Sequence, residues 1–261
     1  MAEIDDVKRE VAIANRILTH TGLSAGILAS LGHVSMRVPG DPELFVVKGR
    51  GYEVDALPLM QPEDMIVCDM EGRKVGGPPN ATQCFEVKIH STILKAHPEI
   101  NSAVHVHPRF ATMMSVLQAR LVPMCNEGRE LVRRPIGVYP HNKLILTEED
   151  GQGVVAALGD AQVALLRGHG AVTVGRSVDQ SVMNMLQLEE QARMNWYAYC
   201  AMGPDHPGIP EDDIVEALSQ PSLSELEHFQ GGPAPRQGGA GPNGAWLYFK
   251  MQVEQELDAV R

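Results

Sequence analysis

The segment AVHVHPRF at 103–110 constrains the fold most, because it sets two histidines into an otherwise apolar run. Successive residues of a strand face opposite sides, so a strand here directs His105 and His107 to one side and Val106 to the other. Two imidazoles on a buried face can hold one divalent cation through neutral nitrogens, which is our preferred interpretation. A pair of hydrogen-bonded core histidines is the alternative. Pro108 ends the strand.

The surrounding pattern predicts a chain of alternating helices and strands. Helices are expected over 3–21, 82–96 (capped by Thr82), 109–118, 147–158 and 177–202. Strands are expected over 33–38 and 44–52, in a hairpin over 65–75 that turns at Glu71-Gly72, and on both sides of a Gly-His-Gly break within 161–175. The Gly- and Pro-rich stretch 230–244 predicts a linker, and a terminal helix follows it.

Composition limits the partners and the compartment. The chain is 44% hydrophobic and 21% charged, with a formal net charge of −11. An acidic surface repels phosphate groups, so we expect neither nucleic acid nor an anionic membrane as a partner. No signal peptide or membrane span is predicted. Four scattered cysteines without a CxxC pair indicate reduced thiols and a cytoplasmic location.

Two further residues extend the proposed metal site. His169 lies at the Gly-His-Gly break, where flanking glycines allow close backbone approach; a tight turn with an exposed histidine is the alternative. Glu86 lies four residues before His90 in the predicted helix, so the two share a helix face. Its mostly apolar neighbours favour burial, whereas the alternative is an ordinary solvated glutamate.

These motifs together resemble the class II aldolase/adducin family. The resemblance rests on EVKIH at 86–90, HVHP at 105–108 and LLRGHGAVTVG at 165–175, with GLSAGILASLGHVSMRVPG at 22–40 and MQPEDMIVCDMEGRKVGG at 60–77 in the family's order. It covers roughly 1–200. We therefore expect a catalytic domain over 1–204 and a C-terminal extension over 205–261.

The resemblance implies an α/β fold of three layers, αβα, around a central, mainly antiparallel sheet. It also implies a homotetramer with active sites between subunits. In metal-dependent members of the family, histidines and a glutamate at the matching positions hold one divalent ion per subunit. The implied ligands are Glu86, His105, His107 and His169. The donor set suits zinc, manganese, iron or cobalt.

Departures from the sugar-phosphate aldolases of the family indicate a different substrate. Gly32-His33-Val34-Ser35 stands where those aldolases have Gly-Asn-x-Ser, and the segments that would bind phosphate read Val47 to Tyr52 and Ala81 to Cys84. Lys48 and Arg50 place two cations in a glycine-rich turn, where a guanidinium suits a carboxylate. A solvated loop is the alternative for this pair.

The first functional hypothesis is a decarboxylase of a hydroxylated aromatic, or related unsaturated, carboxylic acid, acting through a metal-stabilised enolate. Glu86 is a ligand or a proton shuttle, and His33 binds the substrate or reprotonates its carbon. The side chains that hold substrate oxygens are expected to be Ser35, Lys48 and Arg50. The alternatives are an aldolase for a 2-oxo acid such as pyruvate and a non-catalytic, adducin-like module.

Overall fold

The computed structural model describes residues 2–222, 225–229 and 244–259. Its described part contains nine strands: β1 (His33–Val38), β2 (Asp41–Arg50), β3 (Met65–Asp69), β4 (Lys74–Gly76), β5 (Thr82–Gln83), β6 (Ser102–Val106), β7 (Gly137–Tyr139), β8 (Val163–Leu166) and β9 (Gly170–Gly175). They form one nine-stranded sheet, in which eight strands follow the order β4-β3-β2-β1-β6-β9-β8-β7 and β5 pairs with β2 beside this path. Every pair is antiparallel except β7 with β8.

Helices cover both faces of this sheet. They are α1 (Ala2–His20), α2 (Val87–Ala96), α3 (Arg109–Leu117), α4 (Arg129–Val132), α5 (Glu148–Leu158), α6 (Val178–Met202), α7 (Glu211–Leu218) and α8 (Gly244–Ala259). One apolar core joins α1, α3, α6 and α8 to the sheet, and a second joins α2 and α5 to it. The fold is therefore the predicted three-layer αβα arrangement around a mainly antiparallel sheet.

Strand alternation on β6 decides where the first histidine points. Val104 and Val106 belong to the core under α1, α3 and α6, whereas Ala103 belongs to the core under α2 and α5. His105 lies between the two valines, so it faces the α2 side together with Ala103. Because β6 ends at Val106, His107 lies just beyond the strand, before α3 begins.

The predicted helix over 82–96 is wrong in its first five residues. Thr82 and Gln83 form β5 and pair with Arg50 and Gly49 of β2, so their backbone groups are bonded across strands instead of along a helix. The helix begins at Val87, and Glu86 occupies its N-cap position. Glu86 therefore lies at the start of α2 and not on a helix face shared with His90.

The C-terminal helix packs on the first helix. Trp246 is 3% exposed, and it shares a core with Ile13 and Ile17 of α1. Two ion pairs, Lys250 with Glu10 and Glu254 with Arg9, also link α8 to α1. The predicted linker over 230–244 lies outside the described residues except for Gly244, and the domain division at residue 204 stays a prediction.

Two other expectations concern the thiols and the membrane. Cys68, Cys84, Cys125 and Cys200 are unpaired, as the sequence predicted. Among the residues that the structure describes, no helix has the length and apolar character needed to cross a bilayer.

Candidate metal centre

Four predicted ligands converge at one end of the central strands. The nitrogen and oxygen donor atoms of Glu86, His105, His107 and His169 lie within 4.8 Å of one another. The Nε2 atoms of His105 and His107 are 3.2 Å apart. The Glu86 carboxylate lies 3.5 Å from His105 Nε2 through one oxygen and 3.5 Å from His169 Nε2 through the other.

Local structure brings the three rings together. His105 is fully buried, and its Nδ1 is 3.0 Å from the carbonyl oxygen of Ala171 on the neighbouring strand β9. His169 immediately precedes β9, and Gly170 follows it. A Cβ atom at Gly170 would overlap the carbonyl oxygen of Val106 and lie 3.0 Å from the His107 ring, so only glycine allows this approach.

The hydrogen bond of His105 fixes which nitrogen faces the cluster. A carbonyl oxygen only accepts, so Nδ1–H donates to Ala171 and Nε2 keeps its lone pair. That lone pair faces a second ring nitrogen and a carboxylate oxygen. Nitrogen and oxygen atoms whose lone pairs face one another at such distances need a proton or a cation between them. This arrangement fits a bound cation.

His169 adds an independent sign that a group is bound here. Its side chain is 8% exposed, and neither of its ring nitrogens has a hydrogen-bonding partner among the described residues. Buried imidazole nitrogens without a partner are uncommon in folded proteins. A set of three neutral imidazoles and one carboxylate with a position open to substrate is a familiar ligand set for divalent transition metals. The four residues therefore form a candidate metal-binding site.

The protonation states in the cluster suit ligation. Burial would raise the pKa of Glu86, but hydrogen bonds from His105 and His169, when a proton lies on their Nε2 atoms, outweigh it and hold the pKa well below its usual range; a cation in the same place acts in the same direction. Burial, and to a smaller extent the neighbouring His105 and His169, lowers the pKa of His107 to about 3. Glu86 is thus an ionised carboxylate that also accepts a hydrogen bond from the backbone N–H of Ile145 at 2.9 Å.

A second group of side chains adjoins the first. The donor atoms of His33, Cys84 and His90 also lie within 4.8 Å of one another, and all three residues are buried. His33 Nδ1 and His90 Nε2 are 2.6 Å apart, and His90 Nδ1 is 2.6 Å from Ser35 Oγ. Burial raises the pKa of the Cys84 thiol. Two of these residues, His90 and His33, belong to a hydrogen-bonded chain that starts at Ser35, and the Cys84 thiol lies beside that chain.

A small cavity of about 70 Å³ opens onto the candidate metal centre. Its lining contains two histidines, one cationic residue and one carboxylate, and the remaining residues are small or apolar: Ser30, Leu31, Gly32, His33, Arg50, Phe85, Glu86, His107 and Leu144. The Arg50 guanidinium lies 4.3 Å from the ring centre of Phe85, which is 60% exposed. A flat apolar surface and a cation therefore flank the way into the site.

The two predicted cations are both engaged by Asp55. Lys48 is 1% exposed, and its ammonium group is paired with Asp55 Oδ1. Arg50 lies 3.4 Å from Asp55 Oδ2 and donates to the carbonyl oxygen of Ser30 at 3.1 Å. Burial lowers the pKa of Lys48, while Asp55 opposes that shift. Arg50 lines the cavity, whereas the buried Lys48 is not among its lining residues.

Of the predicted substrate-binding residues, the structure places His33 and Arg50 on the cavity and Ser35 and Lys48 outside its lining. Asp55, Phe85, His90 and Leu144 lie at or beside the site, although the sequence analysis gave them no role. Of these four, His90 alone was marked in the sequence, by its spacing of four from Glu86. The other three are brought to the site by folding of separate segments, which no local sequence pattern indicates.

Comparisons with known proteins agree with this site and fold. The family model for the Class II Aldolase and Adducin N-terminal domain matches residues 9–196. A 3,4-dihydroxyphthalate decarboxylase from Rhodococcus jostii is 31% identical over 209 residues, 77% of this chain and 84% of that protein. The enzyme of the same name from Arthrobacter keyseri is 29% identical over 221 residues, 80% of this chain and 85% of that protein.

A solved structure shares the fold. The L-fuculose 1-phosphate aldolase from Glaciozyma antarctica superposes with a TM-score of 0.71 at 23% identity, covering 99% of this chain and 91% of that chain. At that identity the likeness concerns the fold alone. The chain therefore belongs to the class II aldolase and adducin family, in the branch that resembles these decarboxylases, and it is an enzyme of the lyase type.

Proposed function

We propose that this lyase is a divalent-metal-dependent decarboxylase of a hydroxylated aromatic carboxylic acid. The observation that carries the proposal is the convergence of three imidazoles and one carboxylate, with their donor atoms within 4.8 Å of one another, at the base of a cavity. The similarity to 3,4-dihydroxyphthalate decarboxylases supports the reaction and suggests the class of substrate.

Glu86, His105, His107 and His169 hold the cation in this proposal. Glu86 acts as a ligand, because its low pKa keeps it ionised and the N–H of Ile145 fixes one of its oxygens. When bound, a divalent cation supplies Lewis acidity, which polarises substrate oxygens and takes up negative charge as a carbon–carbon bond breaks. Zinc, manganese, iron and cobalt all suit the ligand set.

The chain's own residues bind and orient the substrate. The cavity of about 70 Å³ is far smaller than the roughly 300–1,000 Å³ of drug-sized ligand pockets. It therefore takes the reacting end of the substrate, while the aromatic ring extends over Phe85 and Leu144. Both side chains are partly exposed apolar surface at the cavity. A rigid, flat ring covers such surface at low cost in conformational entropy.

Arg50 binds a substrate carboxylate or phenolic oxygen. Its guanidinium already lies beside a carboxylate, that of Asp55, and against the Phe85 ring. Lys48 has a different role from the one expected from sequence: buried and paired, it holds Asp55, which in turn orients Arg50. His33 lines the same cavity and contacts the substrate there.

A metal-dependent aldolase that forms or cleaves a 2-oxo acid such as pyruvate is the second candidate. It is favoured by similarity to an L-fuculose phosphate aldolase from Methanococcus maripaludis, 26% identical over 172 residues. The same cluster of ligands serves both reactions, because each develops negative charge next to a chelating oxygen. The homotetramer and the cytoplasmic location stay predictions.

Product analysis tests the proposal. The purified protein is incubated with 3,4-dihydroxyphthalate, a panel of mono- and dihydroxybenzoates and 2-oxo acids, each with and without added Zn²⁺, Mn²⁺, Fe²⁺ or Co²⁺. Release of carbon dioxide that a chelator abolishes and a divalent ion restores is the expected result. Pyruvate release without carbon dioxide supports the aldolase instead. Metal-dependent turnover that survives in His105→Ala contradicts the assigned ligands.

A further inference from the structure

A buried chain of three side chains ends at the cavity. Ser35 Oγ lies 2.6 Å from His90 Nδ1, and His90 Nε2 lies 2.6 Å from His33 Nδ1. Ser35 and His90 are fully buried, and His33 is 6% exposed and lines the cavity. Because Nδ1 of His33 is engaged by His90, its Nε2 is the nitrogen left for the cavity.

The serine hydroxyl decides the direction of the hydrogen bonds. Within the described part of the chain, Ser35 Oγ has no hydrogen-bonding partner except His90. If His90 Nδ1 carried the proton, the hydroxyl hydrogen of Ser35 would be buried without an acceptor, which is strongly disfavoured. The hydroxyl therefore donates to His90 Nδ1, and both groups are satisfied.

The direction propagates to the cavity. Because His90 Nδ1 accepts a hydrogen bond, a neutral His90 carries its proton on Nε2. His90 Nε2 and His33 Nδ1 are 2.6 Å apart, so one proton lies between them. His90 Nε2–H thus donates to His33 Nδ1, and His33 carries its own proton on Nε2. We propose that Ser35 and His90 are positioning residues that fix His33 as this tautomer, so that His33 presents an N–H donor to a substrate oxygen.

The inference deepens the proposed function and rests on it for the substrate. The His33 N–H and the Arg50 guanidinium, on one cavity, recognise an oxygen that accepts hydrogen bonds, and an anionic oxygen accepts them most strongly. A carboxylate oxygen or an ionised phenolic oxygen meets this requirement. Ser35 itself is excluded from direct substrate contact, because it is fully buried and outside the cavity lining.

The tautomer is measured on the zinc-loaded, full-length protein without any substrate. Solid-state ¹⁵N NMR of protein labelled at histidine separates protonated from unprotonated ring nitrogens, and the His33 signals are those that disappear in His33→Gln. We expect a protonated Nε2 and an unprotonated Nδ1 for His33. A wild-type spectrum with the proton on Nδ1 overturns the inference, whatever the variants do.

Serine variants test the cause of the preference. Ser35→Ala removes the group that distinguishes the two tautomers, so His33 is expected to show both, whereas Ser35→Thr keeps a hydroxyl and the wild-type pattern. Ser102→Ala is the matched control: Ser102 is another fully buried serine, on β6, and its hydroxyl contacts Ser35 O and Ser181 Oγ but not the histidines. An unchanged His33 signal in Ser35→Ala contradicts the role of the serine.

Kinetics separate this inference from the proposed function. With 3,4-dihydroxyphthalate, Ser35→Ala is expected to raise KM about twofold for equally populated tautomers, because only the Nε2–H form of His33 binds the substrate oxygen, and Ser35→Thr to restore it. Zinc content is expected to equal that of wild type in both variants. A protein with the expected tautomer but no decarboxylation refutes only the proposed function. Decarboxylation by a protein with the opposite tautomer refutes only the inference.

Discussion

Replacing Gly170 by alanine tests whether backbone approach sets the geometry of the candidate metal centre. The added Cβ would overlap the carbonyl oxygen of Val106 and lie 3.0 Å from His107 Cδ2 and 3.1 Å from His105 Cε1, against 3.4 Å for ordinary contact. Each ring must therefore move by a few tenths of an ångström. Metal–ligand distances tolerate only about ±0.2 Å, so two ligands leave their productive positions together.

The expected losses differ for metal binding and for stability. Disturbing the groups that orient metal ligands typically costs roughly 10–100-fold in metal affinity, and we expect Gly170→Ala to lose at least that much. Overpacking costs about 1–3 kcal/mol in the free energy of unfolding, which corresponds to a fall in Tm of roughly 2–12 °C for a chain of this size. Zinc affinity is measured by competition with a chromophoric chelator, and Tm by calorimetry of the metal-free protein.

Gly175→Ala is the matched control, because Gly175 ends the same strand at its other end. Its added Cβ would meet Ser181 N at 2.8 Å and Gln180 Cβ at 2.9 Å, a milder overlap than the 2.4 Å to Val106 O at Gly170, and one far from the candidate ligands. We expect a smaller fall in Tm than in Gly170→Ala, with unchanged zinc affinity. Wild-type zinc affinity in Gly170→Ala, or equal losses of affinity in both variants, would refute the reasoning.

Three further predictions concern a buried ion pair, the terminal helix and acid stability. Asp55→Asn leaves the buried Lys48 ammonium without its partner and is expected to cost about 3–5 kcal/mol in urea unfolding, whereas Asp55→Asn combined with Lys48→Met recovers most of it; equal stability of the single and double variants would contradict this. Trp246→Ala is expected to lower the free energy of unfolding by about 3–5 kcal/mol without affecting zinc binding. Tyr248 is 54% exposed, so Tyr248→Ala is expected to lower it little, and similar losses in the two variants would argue against docking of α8 through Trp246. Burial, aided by nearby His105, lowers the pKa of His90 to about 3, so between about pH 6.5 and pH 3 the unfolded chain binds the proton that the folded protein does not. The free energy of unfolding of the metal-free protein therefore decreases as the pH is lowered through that window, and the decrease is expected to be shallower in His90→Gln. Identical pH profiles of the variant and the wild type would contradict this prediction.

Much of the fold could be predicted because local signals agree with tertiary structure. β1 has the predicted bounds, and α5 and α6 begin after Thr147 and Ser177, whose side chains accept hydrogen bonds from the Asp150 and Gln180 N–H groups. The segment at Thr82 could not be predicted locally. Its residues suit a helix start, but pairing with β2 gives their backbone groups partners that no short window of sequence reveals.

The candidate site divides in the same way. The alternation in HVH, the Gly-His-Gly break and Glu86 indicate candidate ligands through residue pattern, and the resemblance to the family implies the full set. Sequence alone could not decide between Lys48 and Arg50 as the cation that meets the substrate. Burial of Lys48 against Asp55 is the outcome of packing between β2 and the loop that follows it.

The sequence by itself indicated most of the helices and strands and four candidate ligands, because period, turn residues and donor chemistry are local properties, and its resemblance to the family implied the layered fold. Only the tertiary structure decided that Glu86 lies at a helix start, that Ser35 faces His90 instead of the cavity, and that the four donor groups meet. The physical reason is that hydrogen-bond direction and burial depend on neighbours from distant segments, here strands β1, β6 and β9 and helix α2, which are brought together only by folding of the whole sheet.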